Sequence, residues 1–305
     1  LTDTPVVSVG ELARLDAAPS DYVIVGSGKT ATDAICWLLT NGVSPQRVVW
    51  VRPRDPWMLN RATVQPDPAV AFALVADTMA AAADSASPDE VFVRLEEAGV
   101  MMRVDPQVAP AMAKTPTLGA WELDLLRSVE RVVRMGHVRN VTDREIVLDR
   151  GTVPLAAGSL VVHCAASGLR YPPIVPLWEP DSIRLQTIRA GFPCFCAALA
   201  GYVEATRDDD RERNRLCPPN ALPDRPGDWL WMQVRGAEAT RSYGAEPDIA
   251  AWANGCALNP ARVEPSRRDD PDVVAAAARL AEQTERGLDR MAALAVEPVW
   301  KSSRA

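Results

Sequence analysis

The chain has 305 residues, 48% of them apolar, a net charge of −7 and a pI of about 5.1. That length fits one large domain or two ordinary ones, the acidic balance argues against a general nucleic-acid binder, and no apolar run approaches the ~18 residues of a membrane span. Two histidines, His137 and His163, exclude a multi-histidine metal site. The six cysteines (Cys36, Cys164, Cys194, Cys196, Cys217 and Cys256) contain no Cys-x-x-Cys pair and read as small buried side chains. The N-terminus has neither the basic region nor the apolar core of a signal peptide, so a cytoplasmic location is expected.

Residues 1–19 read as a lead-in. Tyr22 to Val25 is a short continuous apolar run, as in a strand buried on both faces of a parallel sheet. Thr30 to Thr40 reads as a helix, with Ala31, Ala34, Ile35 and Leu38 on one face and Asn41-Gly42 as its stop. Arg47 to Val51 is a second strand. The unit strand–turn–helix–strand is the opening of a doubly wound α/β fold. A proline-rich loop follows, then helices over Ala69–Ala83 and Pro88–Ala98, a strand over Val100–Val104 and a helix over Leu118–Glu130. Val132–Val141 and Glu145–Leu148 read as strands of a meander, and Leu160–His163 as another short buried strand. After Gly168 prolines cluster and the chain turns mainly helical, at Cys194–Thr206 and again from Asp228 onward. The run Asp208–Arg215 reads as a solvated face or loop. The fold class expected is therefore α/β, a Rossmann-like doubly wound parallel sheet with a β-meander, followed by a mainly helical C-terminal part. The domain boundary is placed at 168.

The stretch VIVGSGKTATDA, Val23 to Ala34, carries the chemistry. It contains Gly28-Lys29-Thr30, the end of a phosphate loop. Such a loop needs Gly-x-x-x-x-Gly-Lys-[Ser/Thr], and the position for its first glycine holds Val23, inside the strand. The ATP reading fails on that spacing. Gly-x-Gly-x-x-Ala fits instead: Gly26 for the tight turn, Gly28 for close approach to a pyrophosphate, Ala31 for close packing of helix on strand. Ser27, Lys29 and Thr30 complete the candidate turn. A tight turn without ligand is the plain alternative.

The end of the second strand bears on which dinucleotide binds. An NAD site places an acid about 20 residues on, for the ribose 2′-hydroxyl. Here the stretch is Trp50-Val51-Arg52-Pro53-Arg54, with no acid before Asp55. Two guanidiniums, Arg52 and Arg54, suit the 2′-phosphate of NADP(H); ordinary surface charges are the other reading.

The strings GSGKTATDA, WLLTNGVSPQRVVWVRPRDPWMLNRATVQP, RLEEAGVMMRVDP, VVRMGHVRNVTDREIVLDRGTVP, LVVHCAASGL and IRLQTIRAGFPCFCAALAGYVEA together resemble actinobacterial-type FAD/NAD(P)-binding oxidoreductases, described as pyridine-nucleotide-disulfide-oxidoreductase-like or flavin-monooxygenase-like. The resemblance runs over roughly residues 5–235. It implies an NADPH-binding domain inserted into an FAD-binding domain, with hydride transfer from NADPH to FAD. Gly26, Gly28 and Ala31 match the second nucleotide motif. The turn after Leu160–His163, with Ala166, Ser167 and Gly168, matches the strand end that returns to the flavin, and Gln186 begins the segment near the flavin ring. The first Gly-x-Gly-x-x-Gly, for FAD, is absent and is expected upstream of Leu1. The Phe-x-Gly-x-x-x-His signature of flavin monooxygenases is also absent, as is Cys-x-x-Cys for disulfide reduction. A non-catalytic NADP(H)-binding module or partner subunit is the rival reading. A flavin-free dehydrogenase ranks third, because none of the four tyrosines stands in Tyr-x-x-x-Lys. Residues 169–205 are expected to expose an apolar surface, covered by an oligomer partner or by the missing FAD-binding portion, unless the helical tail Asp228–Leu294 folds over and seals it. No nucleic-acid or membrane partner is expected, and the small-molecule substrate is unknown.

Overall fold

The computed structural model of the chain describes residues 4–166 and 174–296. These fall into two compact units, one built from residues 1–60 and 102–170, the other from 61–101 and 171–305.

In chain order the chain opens with β1 (Val6–Ser8), β2 (Tyr22–Val25), α1 (Lys29–Thr40), β3 (Val48–Val51) and β4 (Trp57–Asn60). Helix α2 (Pro68–Ala83) starts where the Asp67 carboxylate accepts the Ala69 N–H at 2.8 Å, with proline in the first helical position. Helix α3 (Pro88–Glu97) is capped in the same way by the Ser87 hydroxyl, which accepts the Glu90 N–H at 3.2 Å, and Gly99 follows it with φ +74°. Next come β5 (Met101–Arg103), β6 (Thr117–Leu118), α4 (Ala120–Arg127), β7 (Val132–Val133), β8 (Val138–Val141), β9 (Glu145–Leu148), β10 (Gly151–Pro154) and β11 (Leu160–His163). After the undescribed stretch come β12 (Trp178–Glu179), β13 (Ser182–Ile183), α5 (Pro193–Thr206), α6 (Asp210–Leu216), α7 (Pro226–Gly244), α8 (Pro247–Gly255) and α9 (Pro271–Leu294).

The first unit is layered around a five-stranded parallel sheet in the order β1-β11-β2-β3-β7. Alternate side chains of each strand take opposite faces. Tyr22, Ile24, Val48, Trp50, Leu160 and Val162 pack with Ala31, Ala34, Ile35 and Leu38 of α1 and with Leu123 and Leu126 of α4. Val23, Val25, Val49, Val51 and Val161 pack the other way, against Ile146 and Leu148 of the antiparallel meander β8-β9-β10. Both faces of β2 and β3 are therefore covered, which is why their sequences are unbroken apolar runs and show no alternation. Each fully buried aliphatic such as Ile24 or Ile35 contributes about 1.5–3 kcal/mol by leaving water.

In the second unit α5, α6, α7 and α8 enclose a core of Leu177, Trp178, Phe195, Leu199, Val203, Leu216, Tyr243 and Ile249. Phe195 lies 6.1 Å from Tyr243 and 6.0 Å from Trp252, ring centre to ring centre. Helices α2 and α9 run side by side. Asp67 pairs with Arg267 at 2.7 Å, Asp77 with Arg279, and Asp84 with Arg286 at 3.0 Å. The partners rise together in number, so the two helices are parallel. Ala76 and Ala82 are fully buried, and a Cβ on Gly287 would stand 2.6 Å from that of Met79, so the helices touch through small side chains.

Several expectations need correction. The lead-in supplies β1, an edge strand of the parallel sheet. The segment 132–141 divides: β7 joins the parallel sheet and only β8 belongs to the meander. The strand at β5 lies outside the five-stranded sheet. The run Asp208–Arg215 is a solvated helical face and not a loop, because Asp209 caps α6 through the Glu212 N–H at 3.1 Å. Residues 61–101, read as part of the first domain, belong to the second unit, where α2 finds its partner in α9. The apolar surface expected at 169–205 is mostly core: Leu177, Trp178 and Phe195 are buried, and Phe192 is half-buried. Ile183 and Leu185 remain exposed, and Tyr171 lies outside the described residues.

Candidate functional site

The chain leaves β2 at Val25 and enters α1 at Lys29, and the two glycines between them have different reasons to be there. Gly26 has φ +133°, and its N–H donates to Val51 O at 2.9 Å. A Cβ on Gly26 would stand 2.5 Å from Cys164 O, where the chain leaves β11. This glycine is therefore required by the sheet itself. Gly28 is the N-cap of α1, with φ −85° and ψ −174°, a conformation open to any residue. A Cβ there would meet no heavy atom of the described residues within 4 Å. Nothing among the described residues demands a glycine at Gly28. Gly28 has no side chain with which to cap the helix, so the positive end of the α1 dipole lies at this turn. Ala31 is fully buried in the core that α1 shares with β2 and β3, as close helix–strand packing requires.

The other residues of the turn differ in exposure. Ser27 is buried and Thr30 exposed. The Lys29 ammonium bonds the Asp33 carboxylate and lies 3.3 Å from Glu122 Oε1. Glu122 is itself buried and accepts the Gly119 N–H at 2.6 Å, at the start of α4. The Lys29 charge is thus compensated twice within the first unit.

At the end of β3 neither guanidinium is fully exposed. Arg52 is 1% exposed, stacks on the Trp50 ring at 4.5 Å, and pairs with Asp55 through Nη2 at 3.0 Å. Its Nε and Nη1 have no hydrogen-bond partner among the described residues. Burial pushes the guanidinium down to about 10, against the pull of Asp55. Arg54 is half-buried with Nη2 3.6 Å from Met112 Sδ. The cation that does stand with Arg52 is Arg134, just past β7. Arg134 Nε donates to Asp55 Oδ2 at 3.0 Å and its Nη2 to Asp105 Oδ2 at 2.6 Å. The Gln107 N–H and Arg134 hold the Asp105 carboxyl below the usual carboxylate range. Two arginines and two carboxylates therefore form one network, and the side chains that neutralise Arg52 come from loops that the strand pattern does not describe. The one hint in the sequence is that Asp55 is the first acid after the strand.

Trp50 belongs to the same place. Its ring carries Arg52 on one side, and its indole N–H donates to Gly26 O at 2.7 Å. Ala166 is exposed, three residues beyond β11. Ser167 and Gly168 lie outside the described residues. Gln186 belongs to the second unit, where its amide donates to Val175 O at 2.6 Å. Among the described residues no cluster of His, Cys, Asp or Glu could hold a metal ion, and no helix is long and apolar enough to cross a membrane.

No family model matches the chain, and no solved structure matches it. Uncharacterized proteins of Mycobacterium tuberculosis and Mycobacterium bovis are similar to it, each 36% identical over 256 residues. The matched region is 83% of this chain and 48% of each relative, so the chain spans about half the length of the curated relatives it matches.

Proposed function

We propose that the turn from Gly26 to Ala31 binds the pyrophosphate of NADP(H), and that the chain is the NADP(H)-binding and C-terminal portion of a flavoprotein oxidoreductase. The observation that carries the first half is Gly28. It is a glycine that the described residues do not require, at the N-cap of α1, with no neighbour among them within 4 Å of where a side chain would project. A pyrophosphate there meets backbone N–H groups and the helix dipole. The parallel sheet with α1 and α4 on one face, and the turn at the C-terminal end of β2, are consistent with a Rossmann-like arrangement. Selection for the 2′-phosphate is assigned to Arg52, whose buried Nε and Nη1 have no hydrogen-bond partner among the described residues and would have to be uncovered to meet it.

The flavin half rests on the resemblance in sequence. FAD would accept hydride from the nicotinamide, and the chain's part is to bind and orient, with no side-chain acid or base required for that step. Ala166, Ser167, Gly168 and Gln186 are the residues the resemblance assigns to that side. The greater length of the mycobacterial relatives is compatible with a further FAD-binding portion. A module that binds NADP(H) without turnover is the second reading. It is favoured by the pairing of Lys29, Arg52 and Arg134 with carboxylates. Calorimetric titration with NADPH tests the nucleotide site, and the visible absorption of the purified protein separates the two readings: a flavin band for the enzyme, none for the module.

A further inference from the structure

We propose that His163 is the acid–base residue of a flavin-independent activity, in which NADPH bound at the turn reduces a small carbonyl compound directly to its alcohol. This rests on the dinucleotide reading above and goes beyond it, because the flavin step requires no side-chain proton and this one does.

The strand order reverses between β2 and β11. From β2 the chain builds outward through β3 and β7, and it returns to the other side of β2 as β11, with β1 beyond. In a doubly wound sheet ligands bind outside the carboxyl ends of the strands at such a point. A dinucleotide with its pyrophosphate at the turn after β2 can therefore lay its second half over β11. His163 is the last residue of β11, in register with Val25 of β2 and Ser8 of β1. Val25 precedes Gly26, so His163 ends its strand level with the start of the candidate turn, one strand spacing of about 4.8 Å away. Leu160, Val161 and Val162 are buried and His163 is exposed. Its side chain takes the sheet face of Val161, opposite α1.

The two histidines of the chain differ in what they touch. His137 is tied to Asp149, by its backbone N–H at 2.7 Å and by its ring at 3.3 Å. His163 has no hydrogen-bond or ion-pair partner among the described residues. The sequence offers no Tyr-x-x-x-Lys for direct reduction; the sheet offers this imidazole at the strand end. In the reaction hydride passes from the dihydronicotinamide ring to the carbonyl carbon. The freed electron pair on oxygen takes the proton of the His163 imidazolium, leaving the alcohol, NADP+ and neutral imidazole. The groups that could confuse a pH profile are Glu11 and Arg14, on the turn after β1, and Cys164. The Ser8 N–H and hydroxyl, at 2.6 and 2.8 Å, hold the Glu11 carboxyl below its usual range, and burial pushes the Cys164 thiol up to about 11. A rate that changes near neutrality therefore reads the imidazole.

With two imidazoles in the chain, the contact is read directly by magnetic resonance of protein carrying isotope-labelled histidine. NADP+ should move the ring signals of His163, at concentrations that saturate its calorimetric isotherm, and leave those of His137 in place. Turnover is measured with benzaldehyde and diacetyl as carbonyl probes and with NADPH deuterated on its transferring carbon. Direct transfer puts deuterium on the alcohol carbon, whereas passage through a flavin exchanges it with water. The wild-type rate should fall as the pH is raised from about 6 to 8, because the imidazolium is the donor. His163→Ala should be slower by about 100-fold, lose that pH dependence and keep its NADPH affinity. His163→Gln should behave in the same way, and it decides should His163→Ala fail to fold. Three results overturn the proposal and leave the nucleotide site standing: His163 signals unmoved by bound NADP+, no deuterated alcohol from either probe, or variants that keep the wild-type rate. If neither NADPH nor NADP+ binds the wild type, the dinucleotide reading falls, and this inference with it.

Discussion

The indole N–H of Trp50, in the second strand of the β2–α1–β3 unit, donates to the carbonyl oxygen of Gly26, in the turn that leaves the first, across 2.7 Å. Trp50 is fully buried, so this bond has no water to replace it. It ties the candidate nucleotide turn to the strand that ends in Arg52. Trp50→Phe keeps most of the apolar volume and leaves Gly26 O without this donor. The expected loss is about 1–3 kcal/mol of stability, the cost of a stranded buried acceptor. Urea unfolding followed by circular dichroism reads it as a lower midpoint; an unmoved midpoint would show that the bond contributes nothing.

Gly26 and Gly28 should respond to a side chain to different degrees. Gly26→Ala places a methyl 2.5 Å from Cys164 O in a backbone with φ +133°. Strain of that kind costs on the order of 1–3 kcal/mol, and a clear fall in the melting temperature is expected. Gly28→Val meets no neighbour among the described residues, and its penalty is only the poorer N-cap, about 1 kcal/mol. A Gly26→Ala protein that melts with the wild type would contradict the close approach of the β11 exit.

The parallel pair α2 and α9 rests on contact between small residues more than on its ladder of charges. Gly287→Val would drive a side chain into Met79, whose Cβ stands 2.6 Å from the position of the new one. Overpacking of this kind costs about 1–3 kcal/mol. Arg286→Ala removes an exposed pair with Asp84, and screening by water makes it nearly silent. Thermal melts of the two variants should differ sharply. Equal losses would mean that the ion pairs, and not the close packing, hold the helices together.

The cysteines should divide by burial. Desolvation pushes the Cys164 thiol up to about 11 and the Cys217 thiol up to about 12, so both stay protonated near neutrality and react poorly. Cys194 is exposed near the start of α5. Iodoacetamide at pH 8 followed by peptide mass spectrometry should label Cys194 first. Cys36, Cys164, Cys196 and Cys217 should label only after denaturation, and early modification of Cys217 would contradict its burial.

What could be read from the sequence followed from local pattern. The apolar runs of β2 and β3, the i, i+3, i+4 face of α1 and the glycine spacing between them are set by neighbours within about a dozen residues. Helices α2 and α3 are legible for the same reason. What was missed depends on residues far away in the chain. Helix α2 belongs with α9, whose Gly287 packs against Met79 from 208 positions away (287 − 79). No periodicity within α2 announces that. Arg52 reads as a surface cation until Asp55 and Arg134 close over it, and Arg134 comes 82 residues later (134 − 52). A charged residue beside proline looks exposed in any local reading; its burial is decided by the loop that covers it.

The central claim is that Gly28 is a glycine for the sake of a ligand. Calorimetric titration of NADPH into wild type and Gly28→Val, each first shown to be folded by its melting curve, tests it most directly. The account predicts binding to the wild type and its loss in a variant that still melts cooperatively, because the valine side chain fills the space the pyrophosphate needs. Undiminished NADPH affinity in folded Gly28→Val, or no binding to the wild type at all, would contradict it.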